Sequence, residues 1–289
     1  MSKLITPKND IAFKRIFGTK GNEEILKDFL EYVLERKLKS VKLDLATELL
    51  PDFYEGKNSR VDVRSELDDG TQINVEMQTD RSKYSEKRCL QYWSKIYSNT
   101  IEKSEDYEKM QKTICIWIID STVYDDIKEF KSQWKIRETK TGMSGHFEEF
   151  EIYVIELKKF RENAIMKQSK KDFWLWFIDY TNMEMVNMAC ISNERIKEAR
   201  EQLDKITSDK QLMNIIISQE MHERDEIMAK NVARRQGLEE GRAEGEAKGL
   251  AIGEKRKQLE IAKKMKGKGM DIITISEVTG LSEEEVKNI

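Results

Sequence analysis

A chain of 289 residues is long enough for one large domain or two modest ones, and it can bury a core without staples. Hydrophobic residues make up 38% and charged residues 36%, against usual shares of roughly 45–50% and about 25%; this predicts a soluble protein with much exposed helix, and no apolar run approaches the roughly 18 residues of a membrane span. Net charge is −3, but residues 229–268 hold 12 Lys and Arg against 6 Asp and Glu, a balance of +6 that leaves −9 on the rest, so a grip on phosphate is expected to be local.

The three cysteines, Cys89, Cys115 and Cys190, are scattered and odd in number. They form neither a disulfide framework nor a zinc spacing, and they suit a reducing, cytoplasmic setting. Only His146 and His222 are present, so a two-His metal centre or a Ser–His triad has little support. The opening, MSKLITPKND, lacks the apolar core of a signal peptide.

In chain order, residues 8–17 place Ile11, Phe13, Ile16 and Phe17 among charges and predict a short amphipathic helix ending at Gly18. Residues 22–36 predict a second helix, and 41–50 alternate as a strand. Residues 60–78 predict a β-hairpin closed by Asp68-Asp69-Gly70, with a left-handed conformation at Gly70. A long helix is expected over 81–103, a buried central strand over 113–119, and a further strand over 150–157. Residues 170–182, 193–206 and 209–230 read as helices.

Glycines then fall at 237, 241, 245, 249 and 253. In a helix they form a slowly drifting stripe, each costing up to about 1 kcal/mol against alanine. That stripe is either the seat of a homo-oligomer or part of a solvated tether. The tail, 271–289, reads as a helix, a Thr279-Gly280 turn and a capping box at Ser282-x-x-Glu285. It resembles half of a helix-turn-helix, but the short second helix favours a helical end cap. The expected divisions are 1–165, 166–230, 231–268 and 269–289.

The hairpin carries the chemistry. With the turn centred on Asp69, Val61 faces Met77, Val63 faces Val75 and Ser65 faces Ile73 on one side. On the other, Arg60 faces Gln78, Asp62 faces Glu76, Arg64 faces Asn74 and Glu66 faces Gln72. Cross-strand partners have Cβ atoms about 4.5–5.5 Å apart. Two carboxylates so placed repel unless they share a proton, are flanked by cations, or hold a divalent metal such as Mg²⁺ between them. A solvated polar face balanced by Arg60 and Arg64 is the competing reading. Tyr92 and Trp93 on the next helix could stack on bases, although core packing is the commoner use of aromatics at helical spacing.

Asp62 with Glu76-Met77-Gln78 on adjacent strands after a helix pair resembles the PD-(D/E)XK nuclease signature. The opening Pro7-Lys8-Asn9-Asp10-Ile11-Ala12-Phe13-Lys14, the later Ile155-Glu156-Leu157-x-x-Phe160, the glycine tract and Thr279-Gly280-Leu281-Ser282 are similar to the Rpn family of bacterial recombination-promoting nucleases. The resemblance implies an α/β restriction-endonuclease-like core, with a mixed central sheet flanked by helices, followed by an all-helical C-terminal region. It also implies a Mg²⁺- or other divalent-cation-dependent DNA endonuclease acting in recombination or on mobile DNA. Asp62 and Glu76 would be the metal carboxylates, Asp10 a third ligand unless it serves as a helix cap, and Gln78 would occupy the usual lysine position. Glutamine there orients water but is neither a cation nor a base. Lys14 or Arg88 would then supply the missing charge and, with Arg234 and Arg235, contact DNA. The alternative is a catalytically weak or inactive DNA-binding or assembly protein on a nuclease fold.

Overall fold

The computed structural model describes residues 5–44, 62–79, 85–167 and 172–289. The chain divides by contacts into two units, residues 1–216 and 217–289. The expected divisions at 165/166 and 230/231 do not coincide with this boundary.

The first unit opens with α1, Asp10–Phe17, and α2, Glu23–Leu34. Asn9 caps α1, its side chain accepting from the Ala12 amide at 3.1 Å, and the Asn22 side chain closes the helix's other end on the Ile16 carbonyl at 2.9 Å. Six strands follow in one mixed sheet of order β1-β2-β3-β4-β6-β5. They are β1 Val41–Leu43, β2 Asp62–Leu67, β3 Gln72–Gln78, β4 Thr113–Ile119, β5 Lys131–Trp134 and β6 Phe150–Glu156. The β2–β3 and β1–β2 pairs are antiparallel, β3–β4 and β4–β6 parallel, and β5 closes the edge antiparallel to β6. The crossover from β3 to β4 carries α3, Ser85–Ser98, as a parallel pair requires.

The sheet is covered on both faces. Ile114, Ile116 and Ile118 of β4 join Val63, Ile73, Val75, α1, α2 and the later helices in one core. Cys115, Trp117 and Ile119 join Cys89 of α3 in another. A strand buried on both sides has no polar positions to alternate, which is why 114–119 is uniformly apolar. Four helices complete the unit: α4 Leu157–Lys167, α5 Phe173–Asp179, α6 Met183–Ser192 and α7 Glu194–Ser208. Phe17, Phe29 and Trp174 pack ring to ring at 5.2–5.6 Å centroid spacing and tie α1 and α2 to α5.

The first strand is shorter than expected where it is described; residues 45–50 lie outside the described residues, as do 81–84 of the expected long helix and 170–171 of the expected helix over 170–182. That last element is two helices, because Tyr180 adopts φ +56° and ends α5 before Asn182 caps α6.

From Lys210 to Gly267 runs one helix, α8, of 58 residues. The glycine tract is helical throughout, and a Cβ placed on any of its five glycines meets nothing within 4 Å. In the second unit α9, Ile272–Thr279, and α10, Glu283–Lys287, fold onto the end of α8 around Ala262, Ile275, Leu281 and Val286.

Candidate active site

The β2–β3 register is the expected one at every described pair: Asp62 with Glu76, Val63 with Val75, Arg64 with Asn74, Ser65 with Ile73, Glu66 with Gln72. The Arg60–Gln78 and Val61–Met77 pairs lie outside the described residues. The turn explains this precision. Gly70 has φ +82°, and its amide donates to the Leu67 carbonyl at 3.0 Å while the Leu67 amide donates to the Thr71 carbonyl at 2.9 Å. A side chain at Gly70 would be strained by that φ and would meet Gln111 Oε1 at 2.5 Å.

At the far end of β3 the structure gathers an acid, an amide and a guanidinium. Glu76 and Gln78 are 9% and 8% exposed. Gln78 Nε2 donates to Glu76 Oε1 at 2.8 Å, and Arg88 Nη2 of α3 donates to the same oxygen at 2.6 Å. The Arg88 guanidinium also lies 5.8 Å from the centre of the Tyr92 ring. Gln78 Oε1 is buried and has no hydrogen-bond partner among the described residues. Asp62 is brought to this group by its backbone register with Glu76.

An orphaned amide oxygen beside a carboxylate is a hard-oxygen donor set, which suits Mg²⁺ or Ca²⁺ and not a soft metal. Such an oxygen carries a desolvation penalty of about 1–3 kcal/mol until a cation or donor meets it. Among the described residues no three His, Cys, Asp or Glu side chains form a ready cage. The donors present fit a cation shared with water and phosphate oxygens.

The other expected residues fall as follows. Asp10 opens α1, where its charge complements the helix N-terminus; the cap itself is Asn9. Lys14 is 5% exposed on α1, where Ile11, Phe13, Ile16 and Phe17 are also buried, and is not the solvated surface cation that the sequence also allowed. Of the two proposed cations, Arg88 pairs with Glu76 at 2.6 Å. Trp93 stacks on Tyr97 at 4.9 Å, packs edge-on to Phe150 and donates its indole N–H to the Thr113 carbonyl at 2.8 Å, so it lies half-buried against the second core. Arg234 and Arg235 are exposed on α8. His146 is exposed in a loop, and His222 lies 3.8 Å from Glu226.

Sequence reasoning missed a charge cluster at the carboxyl ends of the parallel strands. The amide of Asp120, one residue beyond β4, donates to the Gln78 carbonyl at 2.9 Å. Its carboxylate accepts from Lys8 at 2.8 Å and Arg161 at 2.5 Å, and both cations also reach the fully buried Asp179. The quoted Pro7-Lys8-Asn9-Asp10 string was the only signal for it. Glu156 of the Ile155-Glu156-Leu157 string accepts from the amides of Val123 and Tyr124 and from Lys159 Nζ at 2.7 Å, so it fastens the loop after β4. Beside the Arg64–Asn74 pair, a cavity of about 500 Å³ is lined by Asp44, Arg64, Glu66, Gln72, Asn99 and Thr100.

A mixed sheet whose adjacent strands bring an aspartate against a Glu-x-Gln, with helices on both faces, defines a nuclease-type core of the PD-(D/E)XK class. Residues 7–233 match the family model described as PD-(D/E)XK nuclease family transposase, and the chain belongs to that family. Residues 255–289 match the model described as Rpn/YhgA-like nuclease family, C-terminal HTH domain. The tail is therefore assigned to a helix-turn-helix rather than to the end cap that its short second helix favoured. No curated protein and no solved structure gives a significant match.

Proposed function

We propose that this protein is a divalent-metal-dependent DNA endonuclease that hydrolyses phosphodiester bonds during recombination or movement of DNA. The observation that carries this reading is the pairing of Asp62 with Glu76 beside the buried, unpartnered Gln78 Oε1. Asp62 and Glu76 would hold the metal, with Asp10 as a further carboxylate. The bound ion would supply an activated water and neutralise charge on the phosphate.

The protein's own residues do the rest. Gln78 orients the attacking water through its amide. Arg88 presents a planar cation at Glu76, where a transferring phosphate would sit, and takes the part of the missing lysine. The polar cavity next to the Arg64–Asn74 pair receives the flanking strand. Arg234 and Arg235 lie in the +6 segment of α8, which contributes sequence-independent attraction to DNA. Self-association along the Gly237–Gly253 stripe and a cytoplasmic location complete the reading. No helix in the described residues is long and apolar enough to cross a membrane.

The glutamine at the lysine position favours one other reading, a DNA-binding or assembly protein with little activity. Cleavage of supercoiled plasmid separates the two. If the protein is the nuclease, wild type is expected to nick DNA with Mg²⁺ and not with chelator, and Asp62→Asn and Glu76→Gln are each expected to remove nicking. Absence of metal-dependent nicking by wild type supports the second reading.

A further inference from the structure

We propose that the C-terminal unit holds the phosphate backbone of duplex DNA through the outer face of the last turns of α8, and not through the second helix of its helix-turn-helix. The proposal rests on the DNA reading above and names the surface that serves it.

In a helix-turn-helix the second helix enters the major groove with its first residues at the base edges. Here that helix is α10, and its first turn is Glu283, Glu284 and Glu285. Three carboxylates at the mouth of a groove walled by phosphates repel the duplex on both sides. Glu285 is also engaged within its own unit. It closes the capping box with Ser282 and accepts from Lys255 Nζ of α8 at 2.8 Å. The Lys255 contact, with the Ser282 hydrogen bonds, holds its carboxyl down at about 2. Lys266 Nζ donates to the carbonyls of Val286 and Lys287 at 3.1 and 3.0 Å and so caps the other end of α10. Two lysines of α8 thus fasten α10 in place, and Val286 is buried in the unit's core.

The opposite side of the same turns is basic. Ala262 faces the core. At 100° per residue, the pairs Arg256 with Lys263 and Lys257 with Lys264, each seven apart, lie on the side of the helix away from it. All four are exposed. Arg256 leans on Glu260 at 3.6 Å, while Lys257, Lys263 and Lys264 form no ion pair among the described residues. From Arg256 to Lys264 the helix rises about 12 Å. At about 3.4 Å of duplex axis per phosphate on one strand, that spans three to four phosphates.

The test uses the full-length chain in chelator with a labelled duplex, titrated at several salt concentrations. It compares wild type with a Lys257→Gln, Lys263→Gln, Lys264→Gln variant and with a Glu283→Gln, Glu284→Gln variant. Far-UV circular dichroism confirms that each is folded, and plasmid cleavage is followed in parallel. The lysine variant is expected to lose affinity, with a log–log salt slope shallower by about 2.7, close to 0.9 for each of three contacts. The glutamate variant is expected to bind as tightly as wild type or more tightly. An unchanged slope in the lysine variant overturns the proposal, as does weaker binding by the glutamate variant, which would place α10 in the groove. Lysine-dependent binding to phosphatidylserine vesicles with none to duplex also overturns it, in favour of a membrane surface. Lysine-dependent duplex binding without any cleavage would leave this surface standing and remove the nuclease reading. Cleavage with an unchanged slope would do the reverse.

Discussion

Glu76 Oε1 receives a neutral amide donor from Gln78 and a cationic donor from Arg88. Both bonds end on a carboxylate, but only the Arg88 one joins two opposite charges, so of these two partners Arg88 is the stronger and Gln78 the adjustable one. The two residues should therefore fail differently. Gln78→Ala should slow nicking and weaken metal binding without abolishing it, because both carboxylates remain, and Gln78→Lys should preserve or raise the rate. Arg88→Ala should cost about 10²–10³-fold in kcat, the scale of losing one electrostatic stabiliser, while metal affinity holds or rises because a competing cation has left the carboxylate. Steady-state kinetics with metal titration separate these effects. A Gln78→Ala enzyme as fast as wild type removes that residue from the mechanism. Of this group, Glu76, Gln78 and the pairing of Glu76 with Asp62 were legible from strand alternation and the turn. The reach of Arg88 was not, because nothing in the sequence fixes how α3 lies over β3.

At the level of elements, those with one dominant local signal were readable. The hairpin announced itself through Gly70 and an apolar match on one face, and β4 through its unbroken apolar run. β5 was not readable: Lys131-Ser132-Gln133-Trp134 is a polar edge strand, half-buried to exposed, and polar edges are how sheets avoid pairing with other chains. α4 was missed because β6 passes directly into it at Leu157, with no Ser, Thr, Asp, Asn or Gly in the sequence to mark its start. α8 was read as two segments, since glycine weakens local helix propensity, yet it is continuous. The open space at its glycines has a consequence. Gly241→Ala, Gly245→Ala and Gly249→Ala together should strengthen the helix by up to about 1 kcal/mol per site, seen as slower amide exchange across 235–255. If the stripe seats a homo-oligomer, the same variant should sediment at lower mass. Faster exchange with an unchanged mass would contradict both statements.

On the scale of the whole molecule, the sequence separated a sheet-bearing first part from a helical second part. It placed the divisions by composition, whereas the contacts divide the chain at Ile216/Ile217 inside an uninterrupted helix. Helix propensity carries no mark where tertiary contacts stop. The paired carboxylates belong to the first unit and the outer basic face of α8 to the second, so chemistry and much of the electrostatic grip should be separable by mutation. The central claim is that the Asp62–Glu76 layer is a metal site, and the melting temperature of the full chain against Mg²⁺ or Ca²⁺ tests it most directly. At a hundredfold excess over Kd, binding adds about 2.7 kcal/mol, and roughly 2–4 °C of melting temperature accompanies each kcal/mol in a unit of this size. Wild type should therefore melt several degrees higher with metal, Asp62→Asn and Glu76→Gln should not respond, and without metal Asp62→Asn should melt no lower than wild type. An equal metal-induced shift in all three proteins would contradict the account.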